Sequence, residues 1–154
     1  MSLFASLLGI FSRPTQALST TKPEEASWAL TEEQWRQRLS LQAYKVLRQE
    51  GTEPPFSSLL NDEKRDGVFL CAGCDASLFA SSAKFDSGTG WPSFWEPLPN
   101  AIATKSDYKL IVPRTEYHCQ RCGGHQGHVF NDGPRPTGKR YCNNGIALKF
   151  QPSN

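Results

Sequence analysis

Apolar positions recur at helical spacing only over the first part of the folded region, and short strand-like runs replace them after Gly51. Thr31-Glu32-Glu33-Gln34 has the form of a capping box, with the Thr31 hydroxyl taking the Gln34 backbone N–H and the Gln34 amide reaching back. Leu30 and Trp35 stand where a hydrophobic staple closes over such a box. The pattern predicts a helix over residues 32–39. Ser40 caps a second one, with Leu41, Tyr44 and Leu47 on one face and Gly51 as its stop. Beyond Gly51-Thr52-Glu53-Pro54-Pro55, short apolar runs alternate with Gly, Pro, Asn and Asp, which predicts an all-β remainder. The expected strands are 67–70, 77–79, 109–113, 116–118, 127–130, 139–141 and 147–150. Gly133-Pro134-Arg135-Pro136-Thr137-Gly138 is a loop, because a central strand does not accommodate two prolines.

Composition narrows the function. The 154 residues, 38% of them hydrophobic, suffice for one modest core plus an extension. The net charge of +2 comes from the first 23 residues, which hold Arg13, Lys22 and no acid. The remaining chain holds 15 basic and 15 acidic residues, so it lacks the cationic footprint of a nucleic-acid binder. No run of 18 apolar residues exists to span a membrane. The apolar start, its Ser and Thr content and Arg13 favour a mitochondrial transit peptide, with a disordered cytoplasmic tail as the alternative. Residues 1–27 are accordingly read as an extension and 28–154 as the domain.

Four of the five cysteines form two knuckles, Cys71-Ala-Gly-Cys74 and Cys119-Gln-Arg-Cys122. Two such pairs close one tetrahedral zinc site, and four thiolates leave no open position for catalysis. A redox pair would instead open a helix in a βαβ unit, a context neither knuckle has. The expected cofactor is therefore structural Zn2+. Cys142 has no partner left. It is either a buried small hydrophobe or a thiol kept for chemistry. His125 and His128 follow the second knuckle; they are zinc ligands in place of cysteines, for which the four thiolates leave no need, or ordinary satisfied histidines, or acids and donors beside that thiol. Gly90-Trp91-Pro92-Ser93-Phe94-Trp95 clusters aromatics at neither strand nor helix spacing, either as packing or as the wall of a ligand pocket.

Together, Phe85-Asp86-Ser87-Gly88-Thr89-Gly90-Trp91-Pro92-Ser93-Phe94, the stretch from Cys122 to Phe130, and the stretch from Asp132 to Cys142 resemble the B-type methionine sulfoxide reductases, peptide-methionine (R)-S-oxide reductases. The resemblance runs from about residue 30 to residue 150, including Gly51 to Phe56. It implies a mainly β fold of two antiparallel sheets with short N-terminal helices and a four-cysteine zinc site. It implies that Cys142 is the nucleophile, left as sulfenic acid after methionine departs. His128 and Asn144 would hold the sulfoxide oxygen, with His125 alongside. Arg140 would lower the thiol pKa, and Asp132 would orient Arg140 or a histidine. Trp91, with Phe130, would hold the S-methyl group and select the R epimer. The substrate would be methionine R-sulfoxide in oxidised proteins, acted on by a monomer.

Two departures from the family pattern stand out. Thr89 occupies the place of a resolving cysteine, so an external thiol is expected to regenerate Cys142: thioredoxin, glutaredoxin with glutathione, or another small thiol. Gly145 stands where a serine is usual, which bears on the hydrogen bonding around Asn144. The rival reading is a zinc-stapled binding module with an inert Cys142.

Overall fold

The computed structural model describes residues 27–154, so the transit-peptide expectation lies outside the described residues. Helix α1 (Glu32–Arg38) begins as its sequence demands: Thr31 Oγ1 accepts the Gln34 N–H at 3.2 Å, and Gln34 Oε1 accepts the Thr31 N–H at 2.9 Å. Glu32 and Glu33 in its first turn and Arg36 and Arg38 in its last complement the helix dipole. Helix α2 (Leu41–Leu47) is capped by the Ser40 hydroxyl on the Ala43 N–H. Trp35, Tyr44, Val46 and Leu47 bury the inner faces of both helices.

Nine strands follow: β1 (Gly67–Cys71), β2 (Ser77–Ala80), β3 (Lys84–Phe85), β4 (Ser93–Phe94), β5 (Ile102–Asp107), β6 (Arg114–Cys119), β7 (His125–Phe130), β8 (Arg140–Asn143) and β9 (Leu148–Pro152). They form two antiparallel sheets, β2-β1-β9 and β3-β4-β8-β7-β6-β5. Aromatic rings fill the core between them. Phe79 stacks on Phe94 at 4.1 Å, and Phe69 meets Phe94 edge-on at 4.9 Å. No described helix is long and apolar enough to cross a membrane.

The strand expected over 109–113 is absent. Those residues form the tip of the β5–β6 hairpin, where Asp107 Oδ1 caps the Lys109 N–H at 2.9 Å and turns the chain. The strand before it is β5, and the strand expected at 139–141 begins instead at Arg140 and runs to Asn143.

Candidate active site

The β8 register decides what surrounds Cys142. On one side Cys142 stands opposite His128 of β7, and on the other opposite Ser93 of β4. Side chains directly opposite in an antiparallel pair share a face, so the register brings the thiol and the imidazole together. Gly127 permits this approach: a Cβ there would sit 1.8 Å from the Cys142 carbonyl oxygen. Cys142 and His128 open into one cavity of about 260 Å³, walled also by Trp91, Phe130, Arg140 and Asn144. Six sequence-nominated residues therefore converge.

Each wall residue is fixed by a neighbour. The Trp91 indole N–H donates to the Glu53 carbonyl at 3.0 Å, while Pro92 and Phe94 turn into the core. The aromatic cluster thus divides: Trp91 goes to the cavity, Phe94 to packing, and Trp95 lies partly buried away from both. The Arg140 guanidinium lies 4.4 Å over the Phe130 ring and is held by Asp132 through Nε at 2.9 Å and Nη2 at 3.1 Å. Asn144 accepts the Glu53 backbone N–H at 3.0 Å and donates to the Gln126 carbonyl at 3.0 Å. One Nδ2 hydrogen of Asn144 remains for a ligand. The Glu53 carboxylate accepts the backbone N–H groups of Gly145 and Ile146, the latter at 3.3 Å.

Ser58 explains how the chain accommodates Gly145. A Cβ at position 145 would fall 2.0 Å from Ser58 Oγ, so the Ser58 hydroxyl occupies the room that a serine at 145 would need. Asn144 keeps its two anchors regardless.

His128 has a partner that sequence reading missed. Its Nε2 lies 2.7 Å from Asp107 Oδ2, and Arg114 Nη2 donates to the same oxygen at 3.0 Å. Toward a carboxylate Nε2 must carry hydrogen, which leaves Nδ1 for a ligand. Burial pushes the His128 pKa below its ordinary value, and Asp107 offsets this only in part. The Lys109 backbone N–H and His128 hold the Asp107 carboxyl well below the usual carboxylate range.

Two expectations are corrected. His125 is not at the cavity: it is 2% exposed, and its Nδ1 pairs with Glu116 Oε1 at 2.7 Å behind the His128 ring. Glu116 also meets His118 Nδ1 at 3.1 Å. Arg140 does pull the Cys142 pKa down, as does the Thr89 hydroxyl, but burial outweighs both and leaves the thiol above its ordinary value. Asp132 is mostly exposed and acts on Arg140 rather than on a histidine.

The four knuckle cysteines meet behind this site. Their sulfurs lie within 4.8 Å of one another in a buried cluster, with Cys71–Cys122 and Cys74–Cys119 both at 3.6 Å. Tetrahedral coordination at a metal–sulfur distance near 2.3 Å puts sulfurs about 3.8 Å apart, so the cage fits such an ion. Backbone N–H groups of Gly73 and Gly124 point at Cys71 and Cys122 sulfurs at 3.4 Å, as thiolate ligands require. A buried polar chain joins the cage to the Cys142 strand. Gln126 Nε2 donates to Cys71 Sγ at 3.4 Å, Asn143 Nδ2 donates to Gln126 Oε1 at 3.0 Å, and Tyr117 donates to Asn143 at 2.7 Å.

Residues 39–152 match the SelR domain. The chain is 53% identical over 128 residues to a peptide methionine sulfoxide reductase MsrB of Leifsonia xyli, covering 82% of this chain and 92% of that protein. It is 49% identical over 139 residues to the chloroplastic peptide methionine sulfoxide reductase B1 of Arabidopsis thaliana, covering 90% and 68%. It is 50% identical over 122 residues to an MsrB of Methanosarcina barkeri, covering 79% and 86%.

Proposed function

The chain belongs to the SelR-domain family of peptide methionine sulfoxide reductases, and from that premise we propose that it reduces the R epimer of methionine sulfoxide with Cys142 as nucleophile. The observation that carries this reading is the register pairing of Cys142 with His128 at one cavity.

Around neutral pH the shifted pKa values leave a thiol beside a neutral imidazole. His128 Nδ1 takes the thiol proton as Sγ attacks the sulfoxide sulfur, and delivers it to the sulfoxide oxygen. The S–O bond breaks and the oxygen passes to Cys142. Thiol plus sulfoxide becomes sulfenic acid plus methionine, balanced without an outside proton. Asn144 Nδ2 holds the oxygen during transfer. Trp91 and Phe130 form an apolar seat for the S-methyl group, and their fixed orientation favours one epimer.

Two equivalents of external thiol then restore Cys142, giving a disulfide and one water. Thioredoxin, glutaredoxin with glutathione, or a small thiol supplies them, since Thr89 offers no sulfur. Cys71, Cys74, Cys119 and Cys122 would hold zinc, which supplies cross-linking of β1 to β6 and no reaction step. Import into mitochondria through the first 23 residues completes the proposal.

The test is reduction of dabsylated methionine R- and S-sulfoxides with dithiothreitol. Wild type should consume only the R epimer and Cys142→Ser neither; activity retained by that variant would sink the assignment.

A further inference from the structure

The β5–β6 hairpin tip is strongly apolar. Tyr108 is 74% exposed, Leu110 58% and Val112 72%, and Ile111 is fully exposed. Single exposed hydrophobes are ordinary on a protein surface, but the unbroken Leu110-Ile111-Val112 run is costly unless something covers it; Lys109, between it and Tyr108, pairs with Glu50 at 2.6 Å. Its place in the fold says what that is. Asp107 and Arg114 are the register pair that closes the hairpin. Asp107 holds His128, and Arg114 lines the cavity. Residues 108–113 therefore rise directly from the cavity's rim. A second exposed apolar side chain borders the neighbouring hollow, which shares Trp91 with the cavity. Phe56 is 75% exposed, and its N–H donates to the Gly90 carbonyl at 2.7 Å, between the cavity residues Thr89 and Trp91.

A cavity of about 260 Å³ takes one side chain, so the rest of a polypeptide must lie on the rim. Methionine is a core residue, and its sulfoxide is polar enough to disrupt the core that held it. The segment that carries it outward brings apolar neighbours with it. We propose that the Tyr108-to-Val112 tip, with Phe56, is a docking surface for opened polypeptide segments whose methionine sulfoxide is flanked by apolar side chains. The inference rests on the reading of the reaction given above and names its substrate class.

The triple variant L110S/I111S/V112S tests it, compared with wild type under dithiothreitol. The substrates are N-acetyl-methionine R-sulfoxide, a pentapeptide with the R-sulfoxide flanked by leucine and valine, and one flanked by serine and glycine. Wild type should prefer the apolar peptide. The triple variant should lose about tenfold in kcat/KM on that peptide alone and stay within about twofold on the small substrate. Equal losses on all three substrates would assign the tip to His128 support and overturn the proposal. An unchanged apolar preference would overturn it, as would a defect confined to assays with thioredoxin as reductant. Affinity of the same peptides for Cys142→Ser, with and without the triple substitution, reads docking without turnover. Weakened binding there, with wild type inactive on every R-sulfoxide, would keep the docking surface and discard the reaction.

Discussion

Asp107 Oδ2 receives both His128 Nε2, at 2.7 Å, and Arg114 Nη2, at 3.0 Å. The carboxylate holds Nε2 and so leaves Nδ1 of this cavity-lining ring for a ligand, and it opposes the loss of the ring's proton on burial. Asp107→Asn should lower kcat/KM by about 10- to 100-fold, part of what a positioned acid contributes. Without the charge, the His128 pKa falls further. The pH at which the ring titrates should therefore move down in the pH profile and in ring NMR titration. An unmoved titration would separate Asp107 from the acid.

The state of the Cys142 thiol gives a second test. Burial raises its pKa while Arg140 and Thr89 lower it. Only the thiolate alkylates quickly, so a raised pKa shifts the rise in rate to higher pH. The iodoacetamide rate on native protein should climb through and beyond the ordinary cysteine range of about 8.5. Arg140→Met and Thr89→Val should each move the curve further up. A plateau reached below that range would contradict the balance of burial over Arg140.

Glu53 ties three parts of the site together: its carbonyl to Trp91, its N–H to Asn144, and its carboxylate to the turn after Asn144. Burial raises its own pKa. A carboxyl that binds its proton more tightly when folded loses stability as pH rises from its unfolded value through its folded one. Glu53→Gln should flatten that slope. It should cost little or nothing at neutral pH, where ionisation of the buried carboxylate already weighs against the fold and the amide oxygen can still accept from the turn. Thermal melts from pH 4 to 8 measure both. The variant's kcat/KM should fall more than its melting temperature implies, through a loosened Trp91; unchanged kinetics would make Glu53 a purely structural clasp.

Local chemistry explains which features were legible in sequence. Both helices follow from caps written within four residues, and the metal cage follows from cysteine spacing. The apolar run at 109–113 imitated a strand, but it has no partner and ends at Pro113. The real strand, β5, lies at the edge of its sheet and is largely exposed, so it shows little apolar alternation. Misplacing it hid Asp107 and Arg114, whose roles depend on β5 reaching β7 through β6. Glu53 was invisible for another reason: two of its three contacts come from backbone atoms, which carry no residue signature. His125 does lie alongside His128, its ring 5.5 Å away, but burial against Glu116 keeps it from the cavity, which sequence nearness does not reveal.

Metal loss should act at a distance. The sulfur cage joins β1 to β6, and Gln126 carries its order to Asn143 beside Cys142. In such sites metal binding and folding are coupled. Chelation should release one zinc per chain and abolish cooperative melting, and Cys71→Ser should behave alike. A folded protein free of metal, with its β-sheet circular dichroism intact, would refute the coupling.

The oxidised state decides what Thr89 means. Its hydroxyl hydrogen-bonds with Ser87 Oγ at 2.8 Å, which in turn meets Ser93 Oγ at 2.8 Å. A hydroxyl there can stabilise thiolate or sulfenic acid but cannot form a disulfide. With the other four cysteines buried in the cage, one equivalent of methionine R-sulfoxide should leave Cys142 as sulfenic acid, trapped by dimedone and seen by mass spectrometry. Thr89→Cys should replace that adduct with an intramolecular disulfide between the introduced thiol and Cys142. A disulfide from Cys142 to a cage cysteine in wild type would instead mean that the cage opens during turnover.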